Sequence, residues 1–265
     1  RDRGGGFPHP PHPHSQEKEL EGGVSGICWR LYAAQPNVLD LTEFSLREPL
    51  RAASLRVTFP AALFPFVVTV PAPASTFLFL LAANGSLFQV SIPSPTGGPS
   101  SVLPLLSATP TAHIRCQRLS IELESLGQPT SMVAASSALV FGGSNGGCMA
   151  VPLSWEASAG AWALQAERAG ELRSTAWSLQ RLLPSLFGKA SLGGVTALGA
   201  VRGGALLVAL HSDGMLAVWE PVRRTQLLLA PFVGAHPDGG TPRLPPGLRP
   251  TALALSPPLA GTDGA

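Results

Sequence analysis

The chain has 265 residues, 45% of them hydrophobic and only 13% charged, with a net charge of +2. Gly 29 and Pro 27 make up about a fifth of it, too many helix breakers for a coiled coil or a helical bundle. The apolar share excludes a charge-extended disordered chain, and Lys+Arg 18 against Asp+Glu 16 supplies no basic field for nucleic acid.

Residues 1–25 read as a disordered tail, Gly-rich and then Pro/His-rich through Phe7-Pro8-His9-Pro10-Pro11-His12-Pro13-His14. Imidazole is a common metal ligand, but alternating prolines hold His9, His12 and His14 extended with no further ligand fixed nearby. The segment is therefore expected to be a leader, not a metal site. A start at Arg1 and a stop soon after a new apolar run read as a piece of a longer protein.

No Asp, Glu, Lys or Arg occurs between Arg56 and Arg115, and Phe59 to Ala83 is mostly apolar. A membrane-spanning helix needs roughly 20 such residues without interruption. Pro60, Pro65, Pro71 and Pro73 would each remove a backbone donor from it. The pieces between them have strand length, so buried strands are expected here.

From residue 26 onward short apolar runs alternate with turn chemistry, and three units read as hairpins. Phe77 to Leu81 and Leu87 to Ile92 flank Asn84-Gly85; Ala138 to Phe141 and Cys148 to Val151 flank Asn145-Gly146. Ala205 to Leu210 and Met215 to Trp219 flank Asp213-Gly214. The turn asparagines and aspartate stand at 84, 145 and 213, and a further apolar run precedes each hairpin. A recurring four-strand sheet is the sequence pattern of a β-propeller blade, which takes roughly 40–45 residues. The wider spacing calls for insertions: a Ser/Pro/Gly loop from Pro93 to Pro110, and a helix from Glu171 to Phe187. In the helix, Ala176, Leu179, Leu183 and Leu186 form an apolar stripe, Ser174 is a candidate N-cap and Pro184 stops it. The fold expected is all-β, a partial β-propeller of WD-like blades over residues 26–265 with one helical insertion.

Chemistry is harder to find. Cys28, Cys116 and Cys148 are far apart and form no C-x-x-C pair, so neither a zinc site nor a disulfide framework is implied. A reducing compartment fits them best. Gly142-Gly143-Ser144-Asn145-Gly146 matches the G-x-S-x-G pattern of serine hydrolases, which sets the serine on a strand–turn–helix elbow. The run after it reads as another strand, and no acid-then-histidine order follows that would complete a triad. A hairpin turn explains the glycines better than a Ser144 nucleophile. His211-Ser212-Asp213-Gly214 followed by Trp219 is likewise a hairpin closed by a tryptophan packed between blades. No catalytic residue, cofactor or metal site is expected, and no platform for nucleic acid.

Several stretches carry a resemblance to one family. They begin with Cys28-Trp29-Arg30-Leu31 and Val38 to Leu46, then Leu55 to Pro60 and Phe77 to Pro93. Gly142 to Leu153, Leu179 to Pro184, Leu207 to Trp219 and Leu227 to Leu229 follow in order. Their succession resembles the amino-terminal propeller of the large scaffold nucleoporins, one-sixty in animals and plants and one-twenty in yeast. It covers about residues 26–232, and its weight lies in collinear order, since no single motif is specific. Ala217 departs from it where a basic residue is common. The resemblance implies a structural subunit of the Y-shaped outer ring of the nuclear pore, at the nuclear envelope without spanning it. Its partners would be other outer-ring nucleoporins, with no small-molecule substrate, and its role pore assembly and the traffic of RNA and protein. The loop from Pro93 to Pro110 and the helix from Ser174 to Phe187 are the candidate contact surfaces, against the simpler reading that both cap the sheet. A propeller scaffold of a coat or trafficking complex is the alternative function.

Overall fold

The computed structural model describes residues 19–24, 27–43, 54–93, 103–108, 110–119, 123–172 and 192–231. They form four antiparallel sheets that follow one another along the chain. The first holds β1 (Glu19–Val24), β2 (Ile27–Tyr32), β3 (Val38–Glu43) and β4 (Ser54–Thr58) in that order. The second holds β5 (Leu63–Ala72), β6 (Ser75–Ala82), β7 (Ser86–Pro93) and β8 (Ile114–Arg118). Two short helices, α1 (Leu103–Ala108) and α2 (Pro110–His113), lie between β7 and β8. The third has β9 (Pro129–Ala135), β10 (Ala138–Gly143) and β11 (Cys148–Glu156), with its outer strand in two pieces. Of these, β12 (Ala161–Leu164) pairs with the end of β11 and β13 (Gly170–Leu172) with its start. The fourth is β14 (Val195–Val201), β15 (Leu206–His211), β16 (Met215–Glu220) and β17 (Thr225–Pro231).

The leading strands adjoin one another: β5 lies against β1 and β9, and β9 lies against β14. The sheets therefore radiate from a shared inner end as propeller blades, and the architecture is a partial β-propeller. As the innermost strand of its sheet, β5 can hold Pro65 and Pro71, because its free edge needs no donor there. The register shifts between Leu63 and Val67, around Pro65.

Each seam between sheets is filled by a separate core, and β6 shows how. Successive side chains of a strand point to opposite faces. Phe77, Phe79 and Leu81 accordingly pack towards the third sheet, Leu78, Leu80 and Ala82 towards the first. A strand covered on both faces must be apolar at every position, which is why Phe77 to Ala82 is an unbroken apolar run. Third and fourth sheets meet through Val140, Ala150, Val195, Ala209 and Trp219. They approach closely: a Cβ on Gly142 would lie 2.6 Å from a methyl of Val195.

The three Asn/Asp-Gly hairpins are all present, as β6–β7, β10–β11 and β15–β16. Their chemistry is shared. Gly85, Gly146 and Gly214 take φ of 77°, 85° and 81°, and each amide donates to the carbonyl three residues back. The side-chain oxygens of Asn84, Asn145 and Asp213 accept from the amides two residues on, at 3.0, 2.9 and 3.2 Å. A bulkier residue at these glycines would be strained.

Three sequence readings meet different outcomes. Glu19–Val24, inside the stretch read as leader, pairs along its length with β2. The loop expected from Pro93 to Pro110 is helical over Leu103–Ala108, where Leu103 and Leu106 are buried in the seam between first and second sheets. The helix expected from Glu171 to Phe187 falls outside the described residues from 173 on, as do His9, His12 and His14. No described helix is long and apolar enough to cross a membrane, and the apolar stretch after Phe59 is β5 and β6.

Candidate interaction surface

Polar groups are sparse, and most of them stitch neighbouring sheets together. Between second and third sheets, Gln89 and Gln117 donate from Nε2 to the carbonyls of Trp162 (2.8 Å) and Leu164 (3.2 Å). Arg115 reaches the Ala159 carbonyl at 2.6 Å. Between third and fourth, the Thr130 hydroxyl donates to the Val195 carbonyl at 2.6 Å, and Ser136 to Gly204 at 2.8 Å. A side chain of one sheet bonded to the backbone of the next fixes relative position more tightly than apolar contact alone.

The Ser144 hydroxyl is part of this framework. It accepts a hydrogen bond from the Gln128 amide at 3.0 Å, on a turn that joins strand β10 to strand β11. The Asn145 side chain donates to the Ser125 carbonyl beside it. A nucleophile elbow needs a helix after the serine, and here a strand follows. The hydrolase alternative loses its geometry at that point. His211 is 1% exposed, and its Nδ1–H donates to the Gly193 carbonyl at 2.9 Å. Asp213 accepts from the Gly193 amide at 2.9 Å, so these two residues tie the hairpin turn to the chain entering β14. Trp219 lies buried in the seam between third and fourth sheets, as the sequence reading expected. No cluster of three metal-ligating side chains occurs among the described residues.

Two surfaces remain outside this framework. The outward face of the first sheet is polar. Tyr32 Oη donates to Asp40 at 2.9 Å, and Arg56 forks onto both carboxylate oxygens at 2.7 and 2.8 Å. The fork from Arg56 holds the Asp40 carboxyl below the ordinary carboxylate range, and the guanidinium is pushed up in turn. On the other side of the same sheet, Leu41, Leu55, Val57, Leu106 and Ile114 line a cavity of about 270 Å³, with His113 among its polar lining. That cavity opens between β4, α1 and β8. The sequence alone did not point to it, because its lining comes from four separated stretches.

The chain matches the profile described as "Nucleoporin Nup120/160, beta-propeller domain" over residues 25–241. It belongs to that family. Membership makes the sheet stack the propeller of a nucleoporin scaffold, and the order of segments along the chain agrees with it. No curated protein sequence matches the chain. Among solved structures, one of Kluyveromyces lactis Hsv2 with a complete loop 6CD is 10% identical at a TM-score of 0.41. It is covered over 47% of its length by 77% of this chain. A second Kluyveromyces lactis Hsv2 structure is 10% identical at a TM-score of 0.42, with 51% of it and 79% of this chain covered. The chain thus spans about half the length of the structures it is similar to.

Proposed function

We propose that the chain is the propeller portion of a structural subunit of the outer ring of the nuclear pore complex. It would work by protein–protein contact at the nuclear envelope, in the Y-shaped assembly that supports pore formation and the passage of RNA and protein. The family match over residues 25–241 carries this reading. The physical character of the chain supports it: seams locked by apolar cores and side chain-to-backbone bonds make a rigid body suited to presenting edges and loops. Binding, not catalysis, is the role assigned, with other outer-ring nucleoporins as the partners. Affinity isolation of the full-length product from nuclear-envelope extract tests it. Recovery of the outer-ring nucleoporins in near-equal amounts is the expected result. Recovery of coat or trafficking subunits instead would overturn it.

A further inference from the structure

The fourth sheet has two faces, and its neighbour accounts for one. Leu207, Ala209, Ala217 and Trp219 pack on the third sheet. Residues directly opposite on antiparallel strands share a face. Val208 pairs with Val218, and Val218 with Leu228; Leu210 pairs with Leu216, and Leu216 with Ala230. These six residues therefore make the other face, and every one is apolar. Val208 and Leu210 are 7% and 1% exposed, yet they belong to none of the three cores among the described residues. Such a face takes an apolar neighbour, since leaving it in water forgoes roughly 25 cal/mol for each Å².

A second copy stacked head to tail would offer the outward face of its first sheet, where Tyr32, Asp40 and Arg56 form an ion-paired network. That face would desolvate charge against leucine and valine, a poor match. The chain's own continuation is a better one. Residues 251–256 read Thr-Ala-Leu-Ala-Leu-Ser between Pro250 and Pro257, and no charge occurs from residue 250 to 262. This is a strand-length apolar run bounded by breakers, the same signal that marks β6 and β15. Residues 232–250 would bridge it to β17, fewer than the residues 173–194 that join β13 to β14. Each leading strand already present lies against the one before it.

We propose that residues 251–256 form the leading strand of a further sheet seated on the Val208–Leu210 face. Amide hydrogen exchange of the 265-residue chain tests it. Residues 251–256 should exchange at least about tenfold slower than unprotected amides, in a sample that stays monomeric by light scattering. The pair Leu253→Asp and Leu255→Asp should then speed exchange in residues 206–220 and leave residues 75–93 unchanged. Unprotected exchange at 251–256 in the monomer overturns the proposal, whichever molecule then covers the face. Protection of 206–220 that appears only as the mass doubles assigns the face to a second copy and also overturns it. If the double variant unfolds, residues 75–93 lose protection too, and the unsubstituted chain decides alone.

Discussion

At Asp40 three donors converge on one carboxylate, two from Arg56 and one from Tyr32. Because the Arg56 fork depresses the folded-state pKa, it adds stability above the ordinary carboxylate range. That stability disappears as pH falls through the depressed value. Asp40→Asn should therefore lower Tm most near neutrality, and the gap to the unsubstituted chain should close below about pH 4. Melting curves between pH 3 and 7 measure this; a gap that persists at pH 3 would show that charge is not its source. The cysteines give a second residue-scale test. Burial pushes the Cys148 thiol up to about 12, while Cys28 and Cys116 are exposed. A maleimide at pH 7.5 should add twice to the native chain and a third time only after denaturation, counted by intact mass. Labelling of Cys148 in the native state would mean that the seam between third and fourth sheets opens.

Neighbouring positions on one strand separate the two kinds of element. On β6, Phe79 faces the third sheet and Leu80 the first, both fully buried. Phe79→Ala should cost about 3–5 kcal/mol and Leu80→Ala about 2–5 kcal/mol, since each leaves a cavity in a different seam. On β3 the alternation is amphipathic, with Leu39 and Leu41 buried and Asp40 on the polar side. Urea unfolding reads all of these; a cheap substitution at either β6 position would mean that one of its seams is loose. The same contrast explains what could be read beforehand. Hairpins with an Asn-Gly or Asp-Gly pair were legible, because turn chemistry there is local. The β2–β3 hairpin was not read as one: it turns through Ala33-Ala34-Gln35-Pro36-Asn37, without glycine. Nor was β1, whose Glu19–Val24 carries two glycines and two glutamates and owes its pairing to β2. The cavity beside α1 draws on β3, β4, β7 and the helices, and proximity of that kind has no one-dimensional signal.

Across the whole molecule the first and fourth sheets differ in how they meet solvent. The first turns a charged network outward, whereas the fourth ends on β17, an edge strand with no charge from Thr225 to Pro231. Leu227 is 55% exposed there, and Val222 in the preceding turn is 72% exposed. An apolar edge without a charged gatekeeper is a template for pairing with another chain. Leu227 sits where the β16–β17 register shifts, between the pairs Val218–Leu228 and Trp219–Gln226, so it makes no cross-strand contact that a lysine would break. Leu227→Lys should change unfolding free energy by no more than about 0.5 kcal/mol. It should also reduce the rise of light scattering with protein concentration. An unchanged rise would place self-association elsewhere on the surface. A loss of stability well above that bound would show that Leu227 is packed, and that the edge is already covered in solution.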